Sequence, residues 1–388
     1  MDIKTFTKIF RDKSSADYRK MKYKYGEDFD AFLQALKELY YVELPLLDFE
    51  GENLVFVDEG AQIKQNAAKR LLSTQDKSYG FRAAEDEIVA TSAIESIDFG
   101  RDSVRKILKG MAPEDEQENR ILGIKRGIEF ISEPENKITE ENIYRLYVMA
   151  VGDFLPPEDR LSEGKLYRDD VVYVVGERVE HAGLAAEKVP EFMRTLVEFV
   201  NRNDDINDLA KAAITHFYMA YVHPYFDGNG RMARLLHLWF LVQKGYRSAL
   251  FVPFSSRIQR TKRAYYTAFT QVEENRKYSG VIDVTPFVKY FADSVYAEID
   301  DGCAASTTFA EYESALREGK ITEKEARLWK FVISQYGTEE FSTKQLEKDF
   351  GNAAYATIRA FVLKLEGMGL LVSKKYGARV KYAVAKQF

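Results

Sequence analysis

Twelve consecutive residues, His223 to Arg234, read HPYFDGNGRMAR and bring together an imidazole, a carboxylate, two glycines and two guanidinium groups. Gly228 and Gly230 flank Asn229, and backbone freed of Cβ atoms can turn tightly enough for successive N–H groups to converge on an anion. The run that follows, RMARLLHLWFLVQKG, is apolar and helix-forming. The loop therefore stands at a helix N-terminus, where unpaired N–H groups and the helix dipole favour negative charge. Arg231 and Arg234 fall on neighbouring positions of the first turn, and two guanidinium groups suit a chain of phosphates. Asp227 would be repelled by such a ligand unless a divalent cation, Mg²⁺ or Mn²⁺, bridged the two. Pro224 disfavours helical geometry at His223 and ends the helix before it, which presents at the loop mouth an imidazole that titrates near neutrality. The pattern is that of a nucleotide-phosphate site with a general base.

The run resembles the signature of the Fic family, HPFxDGNGRxxR, at every specified position but one, Tyr225 standing where Phe is usual. The resemblance implies a mainly α fold, a Fic-type helical bundle with a β-hairpin flap, and transfer of AMP from ATP to a hydroxyl side chain (Ser, Thr or Tyr) of a target protein. Residue by residue, it makes His223 the base that deprotonates the hydroxyl and Asp227 the metal ligand. Asn229, with the amides of Gly228 and Gly230, would cradle the phosphates; Arg231 would reach the β-phosphate and Arg234 the γ-phosphate. The Tyr225 ring would pack beneath the loop, and its hydroxyl would need a partner.

Upstream, in AEDEIVATSAIESIDFG, residues Ile88, Thr91 or Ser92, and Glu95 recur at helical spacing, so that Glu95 faces the protein, where a carboxylate needs a partner. The stretch resembles the family's inhibitory helix, in which Ser or Thr is followed four residues later by Glu and then by Gly or Asn. Thr91 and Glu95 hold these places, and Ser96 replaces the last. The resemblance implies an inhibitory helix at about 84–97 whose Glu95 pairs with Arg234, denies that guanidinium to the γ-phosphate and keeps the free protein mostly silent.

In GKLYRDDVVYVVGERVEHAG, the β-branched run VVYVV and a turn at Gly176 and Glu177 predict a short hairpin. The family places its flap here, where an edge strand can register an extended target segment by main-chain hydrogen bonds; a purely structural hairpin is the equal alternative. On the helix RIQRTKRAYYTAFTQVEEN, the pair Tyr265 and Tyr266, with Arg263 nearby, resembles the family's adenine-contacting aromatic region, core packing being the competing use. His216 and His237 read as hydrogen-bonded core histidines, and His181 as a loop residue.

A chain of 388 residues, 46% hydrophobic, can form two or three packed domains. The single Cys303 excludes a disulfide framework, the charged N-terminus shows no secretory signal, and no run of about eighteen apolar residues exists. These features predict a cytoplasmic protein without a membrane span. A net charge of -5 argues against a general nucleic-acid coat.

Residues 1–75 read as a mostly helical extension with helices at DFDAFLQALKELYYV and AQIKQNAAKRLL and a strand at LVFV. Residues 76–300 read as successive helices interrupted by the hairpin, the Fic-like domain that the resemblance implies, and 301–320, containing DDGCAASTTFA, as a linker. Residues 321–388 read as a small α+β winged helix-turn-helix, with AAYATIRAFVLKLEGMG as second helix of the motif and LLVSKKYGARVKYAV as wing. This tail carries twelve basic against seven acidic residues, with Lys374, Lys375, Arg379 and Lys381 on the wing but only Arg359 and Lys364 on the helix. Such charge suits DNA, a protein partner or pairing of two copies. Three further functional readings stay open: removal of AMP with Glu95 orienting a water, transfer of another nucleotide or phosphate group at the same loop, and a DNA-binding regulator that uses the Fic-like domain as an ATP sensor.

Overall fold

The segments 208–222 and 229–243 are apolar on nearly every side, a pattern that suits a helix only at the centre of a fold. In a computed structural model both are helices, almost wholly buried and packed against each other. The structure describes residues 2–58, 81–175, 179–297, 319–336, 340–351, 353–377 and 379–385, with the side chains of 173–182 and of six positions between 323 and 335 excepted.

From the N-terminus, α1 (Ile3–Phe10), α2 (Tyr18–Tyr25) and α3 (Glu27–Leu39) enclose a small core around Met21, Phe29 and Phe32. The helix expected over residues 28–42 stops at Leu39, and β1 (Tyr41–Leu47) begins two residues later. Pro45 cannot sit inside a helix, and the aromatic and β-branched start of YYVELPLL fits a strand better. β1 pairs antiparallel with β2 (Asn53–Val57), at the place expected for the strand LVFV. Val55 of β2 bonds through its backbone to Ile282 and Val284, and the buried Asp283 between them accepts a 2.6 Å hydrogen bond from the Tyr18 hydroxyl. The N-terminal elements are thereby fastened to the main body.

That body consists of α4 (Phe81–Ile94), α5 (Arg101–Leu108), α6 (Glu116–Ser132) and α7 (Glu140–Ala150), the hairpin β3 (Tyr173–Val175) and β4 (Val179–Ala182), then α8 (Val189–Asn201), α9 (Asp208–Val222), α10 (Asn229–Gln243), α11 (Phe254–Arg260), α12 (Lys262–Ser279) and α13 (Thr285–Tyr290), which runs on as a π-helical stretch, Phe291–Tyr296. Side chains of Asp115, Thr139 and Asn207 cap α6, α7 and α9 by accepting from backbone N–H groups of the first turn. One large core centred on α9 and α10 joins these helices.

A separate core around Trp329, Phe341 and Phe361 holds α14 (Glu323–Tyr336), α15 (Thr343–Phe350), α16 (Tyr355–Gly367), β5 (Leu371–Tyr376) and β6 (Arg379–Val384). Three helices are followed here by an antiparallel hairpin, and Phe341 forms a further bridge to Tyr382 of β6. α14 packs against α4. The fold among the described residues is thus mainly helical with small antiparallel strand pairs, and none of its helices is long and apolar enough to cross a membrane. The helix expected at AQIKQNAAKRLL, the turn at Gly176 and Glu177, and linker residues 301–318 lie outside the described residues.

Candidate active site

Helix α9 ends at Val222, and His223 adopts φ 53°, ψ 60°. A residue before proline ordinarily turns extended; this left-handed geometry in a residue with a Cβ costs roughly 1–2 kcal/mol and needs an external hold. Arg168 supplies it: its Nε donates to the His223 carbonyl at 2.8 Å, and its backbone N–H to the Pro224 carbonyl at 3.0 Å. The His223 Nδ1 lies 3.4 Å from the Ala220 carbonyl, which favours the tautomer protonated at Nδ1 and basic at Nε2.

Gly228, at φ 83°, caps the N-terminus of α10. A Cβ on Gly228 would lie 2.4 Å from Val151 Cγ1, and one on Gly230 would lie 2.3 Å from Glu95 Oε1, so neither position has room for a side chain. The buried Asn229 accepts from the Tyr225 N–H at 3.0 Å and donates to the Tyr225 carbonyl at 2.8 Å. Its amide closes the loop, where the sequence reading had turned it toward the phosphates, and the Gly228 N–H, read from the sequence as a phosphate donor, donates to Asp227 Oδ1 instead. Tyr225 stacks on Tyr147 beneath the loop with ring centroids 3.6 Å apart, and its hydroxyl has no hydrogen-bond partner among the described residues. Asp227 Oδ2 pairs with Arg231 Nη2 at 3.0 Å, so its charge is balanced here by Arg231, a partner the sequence reading had not assigned to it.

Arg234 is buried and reaches back to α4. Its Nε donates to Thr91 Oγ1 at 2.7 Å, and its Nη2 to the Thr91 carbonyl at 3.0 Å and to Glu95 Oε1 at 2.7 Å. The remaining nitrogen, Nη1, has no partner among the described residues and lies toward Gly230. Burial alone would raise the Glu95 pKa, but the positive charges of Arg234, Arg231 and Lys262 outweigh it and hold the carboxyl below its usual value of 4.5. A depressed carboxyl stabilises the folded state above its unfolded pKa and loses that contribution as pH falls through the folded one. Wild type should accordingly be more stable than Glu95→Gln by a constant amount between pH 6 and 8, on the order of 1–2 kcal/mol for a charge-assisted bond at a partly exposed carboxylate. The difference should shrink as pH drops below about 4.5, as thermal unfolding of both proteins across that range will show.

Ser96, which replaces the motif's closing Gly or Asn, sits at φ 62°, the left-handed closing position that glycine takes most easily. The helix nevertheless brings Glu95 onto Arg234, since the Lys262 ammonium caps the Ile94 carbonyl at 2.7 Å. Ser96→Gly should relieve this strain, raise stability by about 0.5–1 kcal/mol and lower any basal activity; a lower melting temperature would show that Ser96 makes a contact that outweighs its strain. Sequence reasoning also missed Glu87, which is buried on α4 and accepts from the Ser255 backbone N–H at 2.9 Å and from its hydroxyl. Burial pushes its pKa up, and it anchors α4 to α11. Its spacing from Thr91, four residues along the same helix, was the available signal.

The two tyrosines of α12 part company. Tyr265 is buried among Phe269, Phe287 and Tyr290, and its hydroxyl meets His216 Nε2 at 2.8 Å, so its ring offers no open face to a base. Tyr266 is 46% exposed, close enough to Glu95 and Arg234 to feel both charges. His216 and His237 are fully buried, the latter bonded to the Tyr296 hydroxyl at 2.8 Å. On the C-terminal hairpin, Lys374 and Lys381 each lie 3.8 Å from Glu340. Of the two cations on α16, Lys364 pairs with Glu325 at 2.8 Å. Among the described residues no group of three or more His, Cys, Asp or Glu could hold a metal ion unaided.

Residues 137–241 match the Fic/DOC family. The chain is 25% identical over 286 residues to a protein adenylyltransferase Fic of Drosophila ananassae, covering 68% of this chain and 54% of that protein. It is 26% identical over 208 residues to a protein adenylyltransferase Fic of Nematostella vectensis, covering 52% of this chain and 44% of that one. The chain thus spans about half the length of the curated relatives it matches. Solved structures similar to it include a Fic family protein from Desulfovibrio desulfuricans, with 19% identity, TM-score 0.47 and coverage of 79% of this chain and 88% of that one. Fic-1 from C. elegans aligns with 23% identity, TM-score 0.46 and coverage of 63% and 71%.

Proposed function

We propose that the protein transfers AMP from ATP to a hydroxyl side chain of another protein, with Glu95 as its brake, a reading that proceeds from the match of residues 137–241 to the Fic/DOC family. The observation that carries this reading is the capture of Arg234. A buried guanidinium at the phosphate-binding end of α10 is held by Thr91 and Glu95, while its free Nη1 lies toward the glycine loop. An arginine that would meet phosphate is thereby occupied by a carboxylate in the turn that closes α4, outside the loop.

His223 would take the proton of the target hydroxyl as its oxygen bonds to the α-phosphorus and the bond to pyrophosphate breaks. Negative charge then grows on the β- and γ-groups, where Arg231, Arg234 and the amides after Gly228 are aimed. Asp227, the one carboxylate of the loop and 53% exposed at its side chain, would hold Mg²⁺ or Mn²⁺ with phosphate oxygens and waters completing the shell, and the ion would supply charge neutralisation there. Arg231 would exchange Asp227 for the β-phosphate on binding. Tyr266, open beside Glu95, is the residue of the tyrosine pair placed to meet an adenine.

Incubation with ATP labelled at the α-phosphorus tests the proposal. Label on protein supports AMP transfer; label on protein from the γ-position alone indicates phosphate transfer, and binding without labelling indicates a nucleotide sensor. A second reading, removal of AMP from a modified protein, draws on the partly exposed Glu95 carboxylate, which could orient a water. Loss of pre-installed label in wild type but not in Glu95→Gln would favour it. The C-terminal domain's partner, whether DNA, protein or a second copy, belongs to the same proposal as a targeting surface.

A further inference from the structure

We propose that Arg168 is a positioning residue that locks the β3–β4 hairpin to the backbone of His223, so that a target registered on the hairpin is registered on the base as well; this rests on the AMP-transfer reading. Arg168 is only 2% exposed. Each side-chain hydrogen bond it makes among the described residues goes to a backbone carbonyl: Nε to His223 at 2.8 Å, Nη1 to Asp170 at 2.7 Å, and Nη2 to Leu184. Asp170 lies just before the hairpin and Leu184 just after it. One rigid guanidinium fork therefore joins both feet of the hairpin to the residue that holds the base. The site is close-fitting, since a Cβ on Gly183 would lie 2.8 Å from Val172 Cγ2 and 3.5 Å from Arg168 Nη2.

Three carbonyls in three directions are a task for a planar five-donor group, and an ammonium cannot reach them with the same geometry. The linkage also explains how His223 stays in a left-handed conformation. Misplacement of a base by about 1 Å can cost roughly 100-fold in rate without changing the affinity for nucleotide.

Hydrogen exchange on Arg168→Lys tests the linkage without any need for activity. Exchange at residues 170–175 and 179–184 and at His223, Tyr225 and Phe226 should accelerate together at least tenfold, with the amides of α8 and α12 unchanged. Gly183→Ala, which leaves Arg168 in place and disturbs only the hairpin's foot, should carry to His223 and Tyr225 in the same way. Acceleration confined to the hairpin in both variants would overturn the proposal. Rates per ATP-binding site, compared in a Glu95→Gly background, should fall roughly 100-fold for Arg168→Lys with ATP affinity within about threefold. An equal rate would also overturn it, whereas absence of labelling in the Glu95→Gly parent would count against the AMP-transfer reading alone.

Discussion

Glu95→Gly is expected to raise labelling of protein by α-labelled ATP roughly 10- to 100-fold. The carboxylate holds Arg234 Nη2 at 2.7 Å, a charge-assisted hydrogen bond worth about 1.5–3 kcal/mol, and each 1.4 kcal/mol is a factor of about ten in an equilibrium. Its Oε1 also fills the space where a side chain on Gly230 would stand, so removal opens the loop as well as freeing the guanidinium. The substitution has a structural cost, because Arg234 is buried and would keep only its bonds to Thr91. We expect a loss of about 1–3 kcal/mol, less than the 3–5 kcal/mol of a fully buried pair because Glu95 is partly exposed. ATP should then raise the variant's melting temperature more than that of wild type, since a ligand bound only by the folded state stabilises it in proportion to its affinity.

His223→Ala in the Glu95→Gly background should return labelling to background, a fall of roughly 10²- to 10⁴-fold, with ATP affinity within about threefold. In the proposed mechanism the imidazole would contact the attacking hydroxyl and none of the phosphate charge, so its loss would strike the chemical step. A variant that lost ATP binding instead would show that the left-handed backbone at His223 shapes the phosphate loop, and would move the residue from base to scaffold.

Much of the site was legible in the sequence because it is local. Gly228 to Arg234 lie within two turns of one another, and glycine, arginine and a helix start dictate a tight helix-entry loop with little help from the rest of the fold. Glu95 was legible through periodicity, which turned it toward the protein, and through the motif resemblance that paired it with Arg234; it stands in the turn one residue past the end of α4. What stayed hidden depends on contacts distant in sequence. Arg168 meets His223 across 55 residues, and Lys262 meets Ile94 across 168. Asn229 looked like a phosphate ligand because its amide was imagined free, yet it closes on Tyr225 four residues away. Tyr265 looked like half of a base platform; adjacent residues on a helix point about 100° apart, so one was bound to face the core. Tyr41 and Val42, the first residues of β1, were read as the end of a helix because the apolar pattern runs on without a break through Leu39 to Val42.

ATP carrying distinguishable labels at its α- and γ-phosphorus, incubated with the Glu95→Gly protein and a cell extract, puts the central claim to its most direct test. The account predicts that α-label becomes bound to protein through a hydroxyl while γ-label leaves in pyrophosphate, and that wild type does the same far more slowly. Glu95→Gly protein that is folded and binds ATP with the affinity of wild type or better, yet transfers no α-label, would contradict it.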